Sequence, residues 1–198
     1  MIFFYYSLAI SVITIILTIY ILAGLRQLQQ LSKQPLIEKQ PPVAVIIAVR
    51  NEEDDLEQAL QSVCNMNYQN YRVVVVNDRS TDRTAEILES FKTRYPQLAI
   101  VTVTELPDGW LGKNNALYQG YLGSTEEWML FTDADIKFHP DTLSRALNYA
   151  VSNQLDHLTA LPEVISRSAI LNSALATFAI MLVLNLKPWD AKKPGTKD

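Results

Sequence analysis

Two aspartates separated by one residue, Asp133-Ala134-Asp135, have the types and spacing best suited to chemistry in this chain. In extended backbone, side chains two apart point to the same side, so both carboxylates can face one ion. Hard oxygen donors suit Mg2+ or Mn2+, which commonly bridge one or two carboxylates to substrate phosphates. A cation held there would act as a Lewis acid and neutralise a diphosphate leaving group. A lone Asp-x-Asp is most often a solvated turn. Here the apolar run from Trp128 to Phe131 precedes it, with Thr132 between, which puts the pair just past the end of a strand.

Two further groups could serve the same chemistry. Asp78 closes the run Val74-Val75-Val76-Asn77-Asp78, where a strand-end carboxylate can accept a hydrogen bond from a base or ribose. Thr81 and Asp82, just after it, read more simply as caps of the next helix. The loop Pro107-Asp108-Gly109-Trp110-Leu111-Gly112-Lys113-Asn114 runs into a helix. Backbone N–H groups at a helix start, together with Lys113, can take a phosphate or a sugar. This is not a Walker loop, since no Ser or Thr follows the lysine. Trp110 reads equally as a sugar platform or as a cover for the core.

These residues need elements to hold them. Val43 to Val49 is a continuous apolar run, the pattern of a strand buried on both faces. Asn51 to Asp55 is acidic, as tolerated at a helix start, and Leu56, Leu60 and Val63 follow at helical spacing. Arg72 to Val76 repeats the buried-strand pattern. Ala85, Leu88 and Phe91 mark a second helix that stops before Pro96, and Leu98 to Val103 is a third strand. Asn114 to Leu122 reads as helix, Trp128 to Phe131 as a fourth strand, and Pro140 to Val151 as a helix with Leu143, Leu147 and Ala150 on one stripe. Such alternation predicts an α/β fold, a mostly parallel sheet with helices on both faces. Ligands of such sheets bind beyond the carboxyl ends of the strands, where Arg50-Asn51-Glu52, Asn77-Asp78 and Asp133-Ala134-Asp135 all fall.

Composition narrows the function classes. The 198 residues carry a formal net charge of −4, which argues against a nucleic-acid partner. One cysteine, Cys64, excludes an internal disulfide and any multi-cysteine zinc site; its helical context reads as a buried structural thiol. From Ile2 to Leu25 no residue is charged, which is long enough for a transmembrane helix. No basic start or small-residue cleavage site marks a signal peptide. Tyr5, Tyr6 and Tyr20 lie toward the ends of the run, and Arg26, Lys33 and Lys39 follow it, with Glu38 the single acid among them. The positive-inside rule then predicts a single N-terminal pass through the cell membrane, with the body cytoplasmic. Residues 26–42 read as a juxtamembrane linker closed by Pro41-Pro42, residues 43–162 as the ligand-binding domain, and residues 163–198 as an apolar helix and tail.

Four segments occur in order: Val43 to Glu53, Val75 to Asp82, Gly109 to Ala116, and Thr132 to Asp135. Together they resemble glycosyltransferase family 2, of the GT-A fold, over Pro42 to Leu161. The Gly-Trp-x-Gly-Lys segment and the leading apolar helix are most similar to its hopanoid- and carotenoid-associated members. The resemblance implies a nucleotide-sugar donor, UDP-linked, a lipid or membrane-associated acceptor, inversion at the sugar, and a divalent cation. It also implies that Asp78 binds the base, that Val49 and Glu52 line its pocket, and that Lys113 lies near the diphosphate or ribose. Asp133 would serve ribose and metal, and Asp135 the metal.

The same resemblance implies a carboxylate base and an Arg-Trp segment well after Asp135. Neither is found: Asp141 reads as a helix cap, Asp156, Glu163, Asp190 and Asp198 lack the expected context, and Trp189 follows Lys187-Pro188. The chain is therefore expected to be truncated after its donor-binding half, and a non-catalytic, membrane-bound nucleotide-binding module stands as the alternative function. A phosphatase-type use of the Asp-x-Asp is disfavoured, because the motif follows a late strand and precedes Ile136-Lys137. Ala169 to Leu186 is uncharged but carries Asn172, Ser173, Thr177 and Asn185. It reads as an interfacial or buried helix, with a second span as the alternative.

Overall fold

A computed structural model describes residues 1–166 and 168–189. The chain divides into two compact units, Leu31–Ala160 and a second made of Met1–Gln30 with Leu161–Asp198.

The larger unit is built on a four-stranded, wholly parallel sheet in the order β3-β2-β1-β4. In chain order its elements are β1 (Val43–Val49), α2 (Leu56–Cys64), β2 (Tyr71–Asp78), α3 (Thr84–Arg94), β3 (Leu98–Val103), α4 (Gly112–Leu122), β4 (Trp128–Thr132) and α5 (Thr142–Ser152). The helix of the smaller unit that precedes them is α1 (Ile2–Leu25), and the one that follows is α6 (Ala169–Leu186). The predicted α/β fold is thus the observed one. The unbroken apolar runs are explained by position. β1 and β2 are the inner strands, and almost every residue from Val43 to Val49 and from Val73 to Asp78 is buried. β3 and β4, at the two edges among the described residues, are only partly covered.

Alternate residues of the inner strands feed two cores. Val43, Val45, Ile47, Val73 and Val75 pack against α2, α3 and α5 through Leu60, Phe91 and Leu147. Ala44, Ile46, Val74 and Val76 pack against α4 through Ala116. Burying each such Val, Leu, Ile or Phe stabilises by about 1.5–3 kcal/mol. α4 comes unusually close: a Cβ on Gly120 would lie 2.4 Å from a methyl of Ile46, so only glycine allows this approach. The α3 stripe differs from the expected one. Thr84, Ile87, Leu88 and Phe91 are buried, whereas Ala85 is exposed, because the helix starts at Thr84 and its inward face is rotated by one residue.

Helices on both faces follow from the strand order. The chain steps from β1 to β2 to β3 in one direction, then returns to lay β4 on the far side of β1. Right-handed crossovers require the returning helix, α4, to lie on the opposite face from α2 and α3. The reversal makes the carboxyl ends of β1 and β4 the topological switch point, where such sheets bind ligands.

Part of the segment before β1 is fixed to this unit. The Ile37 N–H donates to Ser144 Oγ at 3.1 Å, Tyr68 donates to the Pro41 carbonyl at 2.7 Å, and Arg145 donates to the Gln34 carbonyl.

In the smaller unit, α1 has 24 residues, with a mean hydropathy of 2.6 over its most apolar 18, and α6 has 18 with 2.0, so both are long and apolar enough to cross a membrane. Trp189 lies edge-on to Tyr20 at 5.4 Å and covers Gly24, where a Cβ would come within 2.4 Å of its ring. Asp190 to Asp198, with the Lys192-Lys193 tail, lie outside the described residues.

Candidate active site

The two loops that leave β1 and β2 are stitched together by reciprocal hydrogen bonds. Asn51 and Arg79 open these loops, both in left-handed backbone with φ of 55°. The Thr81 N–H donates to Asn51 Oδ1 at 2.8 Å, and the Asn51 N–H donates to Ser80 Oγ at 3.1 Å. The Glu52 N–H reaches the fully buried Thr84 hydroxyl at 3.0 Å. The Glu53 N–H donates to Asp82 Oδ2 at 3.2 Å, and Glu53 accepts from the Arg83 N–H at 3.0 Å. Thr81 and Asp82 are therefore more than helix caps: they tie one loop to the other. Desolvation pushes the Asp82 carboxyl up, but hydrogen bonds from Thr84 and Glu53 outweigh it and hold Asp82 below its usual range.

A cavity of about 390 Å³ opens at the switch point. Val49 and Glu52 reach it from the β1 side, Asp78 from β2, Lys113 from the start of α4, and Asp133 and Asp135 from the turn after β4. All six residues singled out by sequence lie around this one cleft, and they come from four separate stretches of chain. The two aspartates line the same cleft, but Ala134 and Asp135 lie in a turn and not in the extended backbone expected from their spacing. Ala134 is buried at 5% while Asp133 and Asp135 on either side are exposed, so the alanine anchors the turn and the carboxylates face solvent.

Charges in the cleft are arranged in sequence. Lys113 Nζ lies 2.5 Å from Asp133 Oδ1, with both side chains more than half exposed. Asp135 makes no hydrogen bond or ion pair among the described residues. Burial, followed by the negative charges of Asp135, Asp55 and Asp82, raises the Glu52 carboxyl above its ordinary 4.5, with Lys113 partly offsetting them. An unpartnered carboxylate that repels a neighbouring one suits a hard divalent cation, since both donors are oxygens and a positive charge would relieve the repulsion. No group of three or more His, Cys, Asp or Glu forms a metal cage among the described residues. Asp133 and Asp135 could then supply two ligands, leaving the remainder to phosphate oxygens and water.

Asp78 departs from the expected free acceptor. It is buried to 3% exposure, and Arg79 clamps it with two hydrogen bonds, Nε to Oδ1 at 2.7 Å and Nη2 to Oδ2 at 3.1 Å. Arg50, in a polar cluster expected at the ligand-binding strand ends, does line the cleft, whereas sequence reasoning missed the Arg79 clamp and the reason for Gly112. A Cβ on Gly112 would lie 2.8 Å from Asp78 Oδ2 and 3.0 Å from Arg79 Nη2. The start of α4 can approach the ion pair only as glycine.

Other expectations change in detail. Trp110 stacks on Tyr118 of α4 at 5.1 Å and is 40% exposed, an arrangement that fits a sugar platform and a cover at the core surface alike. Asp141 occupies the position before α5 without a capping bond from its side chain; it accepts instead from Asn67 at 2.9 Å and Arg145 at 3.3 Å. Cys64 is a buried free thiol whose pKa burial raises to about 11, as a structural cysteine should be.

The parallel sheet with helices on both faces and a cleft at its switch point is a GT-A-like fold. The model of Glycosyl transferase family 2 matches residues 44–174, and the chain belongs to that family. It is 31% identical over 137 residues to the beta-monoglucosyldiacylglycerol synthase of Synechocystis, covering 68% of this chain and 27% of the relative. It is 27% identical over 190 residues to the 4,4'-diaponeurosporenoate glycosyltransferase of Staphylococcus aureus, covering 93% and 49%. Among solved structures it is similar to the mannosyltransferase PcManGT from Pyrobaculum calidifontis in complex with GDP-Man and Mn2+. There the TM-score is 0.56 and the identity 28%, covering 68% of this chain and 39% of that one. The chain thus spans about half or less of the length of these relatives.

Proposed function

We propose that the cleft is the donor site of a glycosyltransferase working at a membrane, moving a sugar from a UDP-linked donor to a lipid or membrane-associated acceptor with inversion. The observation that carries this reading is the convergence of Val49, Glu52, Asp78, Lys113, Asp133 and Asp135 on one cleft at the switch point. Asp78 serves the base, with Val49 and Glu52 lining the same end of the site. Lys113, whose ammonium has N–H donors beyond the one held by Asp133, serves the diphosphate. Asp133 and Asp135 hold Mn2+ or Mg2+, which when bound supplies Lewis-acid stabilisation of the leaving diphosphate.

The domain organisation follows from the same reading. Residues 43–162 form the donor-binding domain, residues 26–42 the juxtamembrane segment, and residues 163–198 an apolar helix and tail. α1 crosses the cell membrane once, with Arg26, Lys33 and Lys39 on the cytoplasmic side. The lipid names of two relatives support an acceptor that lives in the membrane.

Calorimetric titration of the detergent-solubilised chain with UDP tests the donor site. Binding should require Mn2+ or Mg2+ and should be lost in Asp135→Ala. Equal binding without metal, or none in a folded sample, would defeat the reading. A second reading, a nucleotide-binding module without turnover, is favoured by one observation. The carboxylates lining the cleft are Glu52, Asp78, Asp133 and Asp135, each already given a donor- or metal-binding role in the first reading, and Asp141 is tied to Asn67 and Arg145. Sugar transfer by this chain, abolished in Asp135→Ala, would rule out that second reading.

A further inference from the structure

A surface helix ordinarily turns an apolar face to the core and a polar one to water. α4 is apolar on both. Gly120 against Ile46, and Ala116 in the second core, mark its inward side. Helical spacing puts Leu111, Tyr118 and Leu122 opposite Gly120, with Tyr121 beside them and Trp110 just ahead of the helix. These five side chains are 40% to 72% exposed, and they make up most of the large apolar side chains left exposed between Leu31 and Ala160. The rings form a ladder, Trp110 stacking on Tyr118 and Tyr118 on Tyr121 with centroids 6.1 Å apart. No charged residue occurs between Lys113 and Glu126. The indole N–H of Trp110 and the hydroxyls of Tyr118 and Tyr121 have no hydrogen-bond partner among the described residues.

An uncharged face of apolar rings with free polar tips suits one boundary in particular. Between lipid headgroups and acyl chains, one end of each ring is dry and the other wet, and Trp and Tyr are enriched there. The chain itself keeps such a boundary within reach. Gln34, whose carbonyl accepts from Arg145, follows Leu25 at the end of α1 by nine residues. Nine residues extend to at most about 30 Å, comparable to a sheet layered between two helices of about 10–12 Å diameter. With α1 in a bilayer, the body cannot leave the membrane surface, and docking becomes an intramolecular step at high effective concentration.

We propose that the outward face of α4 is a membrane-docking surface, on which Tyr118, Tyr121 and Leu122, with Trp110 and Leu111, settle into the interfacial zone of the bilayer. The inference rests on the reading of α1 as a membrane anchor. Gly112 and Lys113, at the start of the same helix, line the cleft. Docking along α4 therefore sets the height of the cleft beside the membrane, where a membrane-resident acceptor arrives.

The test uses the full chain reconstituted into phosphatidylcholine vesicles, with Leu122→Cys or Lys92→Cys carrying an environment-sensitive fluorophore. Cys64 is buried and does not compete for the label. Lys92 is on α3, across the sheet from α4. The label at position 122 should be quenched several-fold more strongly by nitroxide lipids than the label at position 92, and it should be shielded from iodide in the water. Tyr118→Ser combined with Tyr121→Ser should abolish that contrast while the melting temperature stays near wild type, because both rings are exposed. Equal lipid quenching at the two positions, or a contrast that survives in the double variant, would overturn the proposal. Shielding of position 122 from both quenchers would overturn it as well, since that is the signature of a protein cover such as a second copy. A chain that does not float with the vesicles defeats the anchor reading itself. A chain that floats with position 122 open to iodide defeats only the docking face.

Discussion

Gly112→Ala is the smallest change that separates the candidate site from the fold that carries it. The added methyl would stand 2.8 Å from Asp78 Oδ2, 3.0 Å from Arg79 Nη2 and 3.8 Å from Arg50 Nη1. Comfortable contact for a carbon lies at roughly 3.5–4.0 Å, so the ion pair must retreat by about half an ångström or more. Asp78 is buried and its clamp has two hydrogen bonds, each to a charged partner. Bonds of that kind contribute about 1.5–3 kcal/mol. Distorting one of the two therefore removes about 1–2 kcal/mol of preorganisation from the Asp78 end of the cleft. At 1.4 kcal/mol per decade, nucleotide affinity should weaken by roughly 5- to 30-fold. Gly112 is also the first residue of α4, where replacing glycine by alanine gains up to about 1 kcal/mol of helix propensity. The two effects offset each other in the folding free energy, so thermal unfolding should shift by only a few degrees. The assay pairs calorimetry with UDP and Mn2+ against a circular-dichroism melt in the same detergent. An unchanged dissociation constant would refute the steric argument. A collapse of the melting temperature would show that the glycine serves the fold and not the site.

Lys113→Met should leave thermal stability almost unchanged, because its pair with Asp133 is more than half exposed and such pairs contribute about 0–1 kcal/mol. The same variant should weaken nucleoside diphosphate binding far more than nucleoside binding, which competition between UDP and uridine would measure. Glu126 provides a pH test away from the cleft. Desolvation pushes its carboxyl up, but its own and the Thr125 N–H groups, together with Arg72, hold it below the ordinary 4.5. A depressed carboxylate stabilises the fold above its unfolded pKa and loses that contribution as pH falls through its folded pKa. Glu126→Gln should therefore melt below wild type at pH 7, by less than about 1 kcal/mol given the 37% exposure of Arg72. The two melting curves should converge as the pH falls below 4.5 and through the depressed folded-state pKa; a constant gap would mean that the charge is irrelevant.

Local pattern determined much of this protein. β1 and β3 have the same bounds in the fold as in the apolar runs, because a strand buried on both faces leaves an unbroken apolar signature. The alternation of strand and helix predicted a parallel sheet, and the polar clusters at the strand ends lie around one cleft because ligand-facing loops in such sheets gather there. Asp133 and Asp135 are exposed on either side of a buried Ala134, although a turn and not strand alternation puts them there.

Other features exist only in three dimensions. Nothing in the run Asn77-Asp78-Arg79 says that the arginine takes a left-handed backbone and folds back to clamp its neighbour, since long side chains carry no turn signal. Gly112 reads locally as part of a loop running into a helix; the tertiary fold gives it a steric reason, an ion pair contributed by residues more than 30 positions earlier. The stitching of Asn51 to Ser80 and Thr81 depends on β1 and β2 lying side by side in register, which aligns Val49 with Asn77. Sequence could identify the residues able to do chemistry, because type and spacing are local. Which of them face a ligand and which face each other was decided by strand order and packing, because those contacts join segments that the chain itself keeps apart.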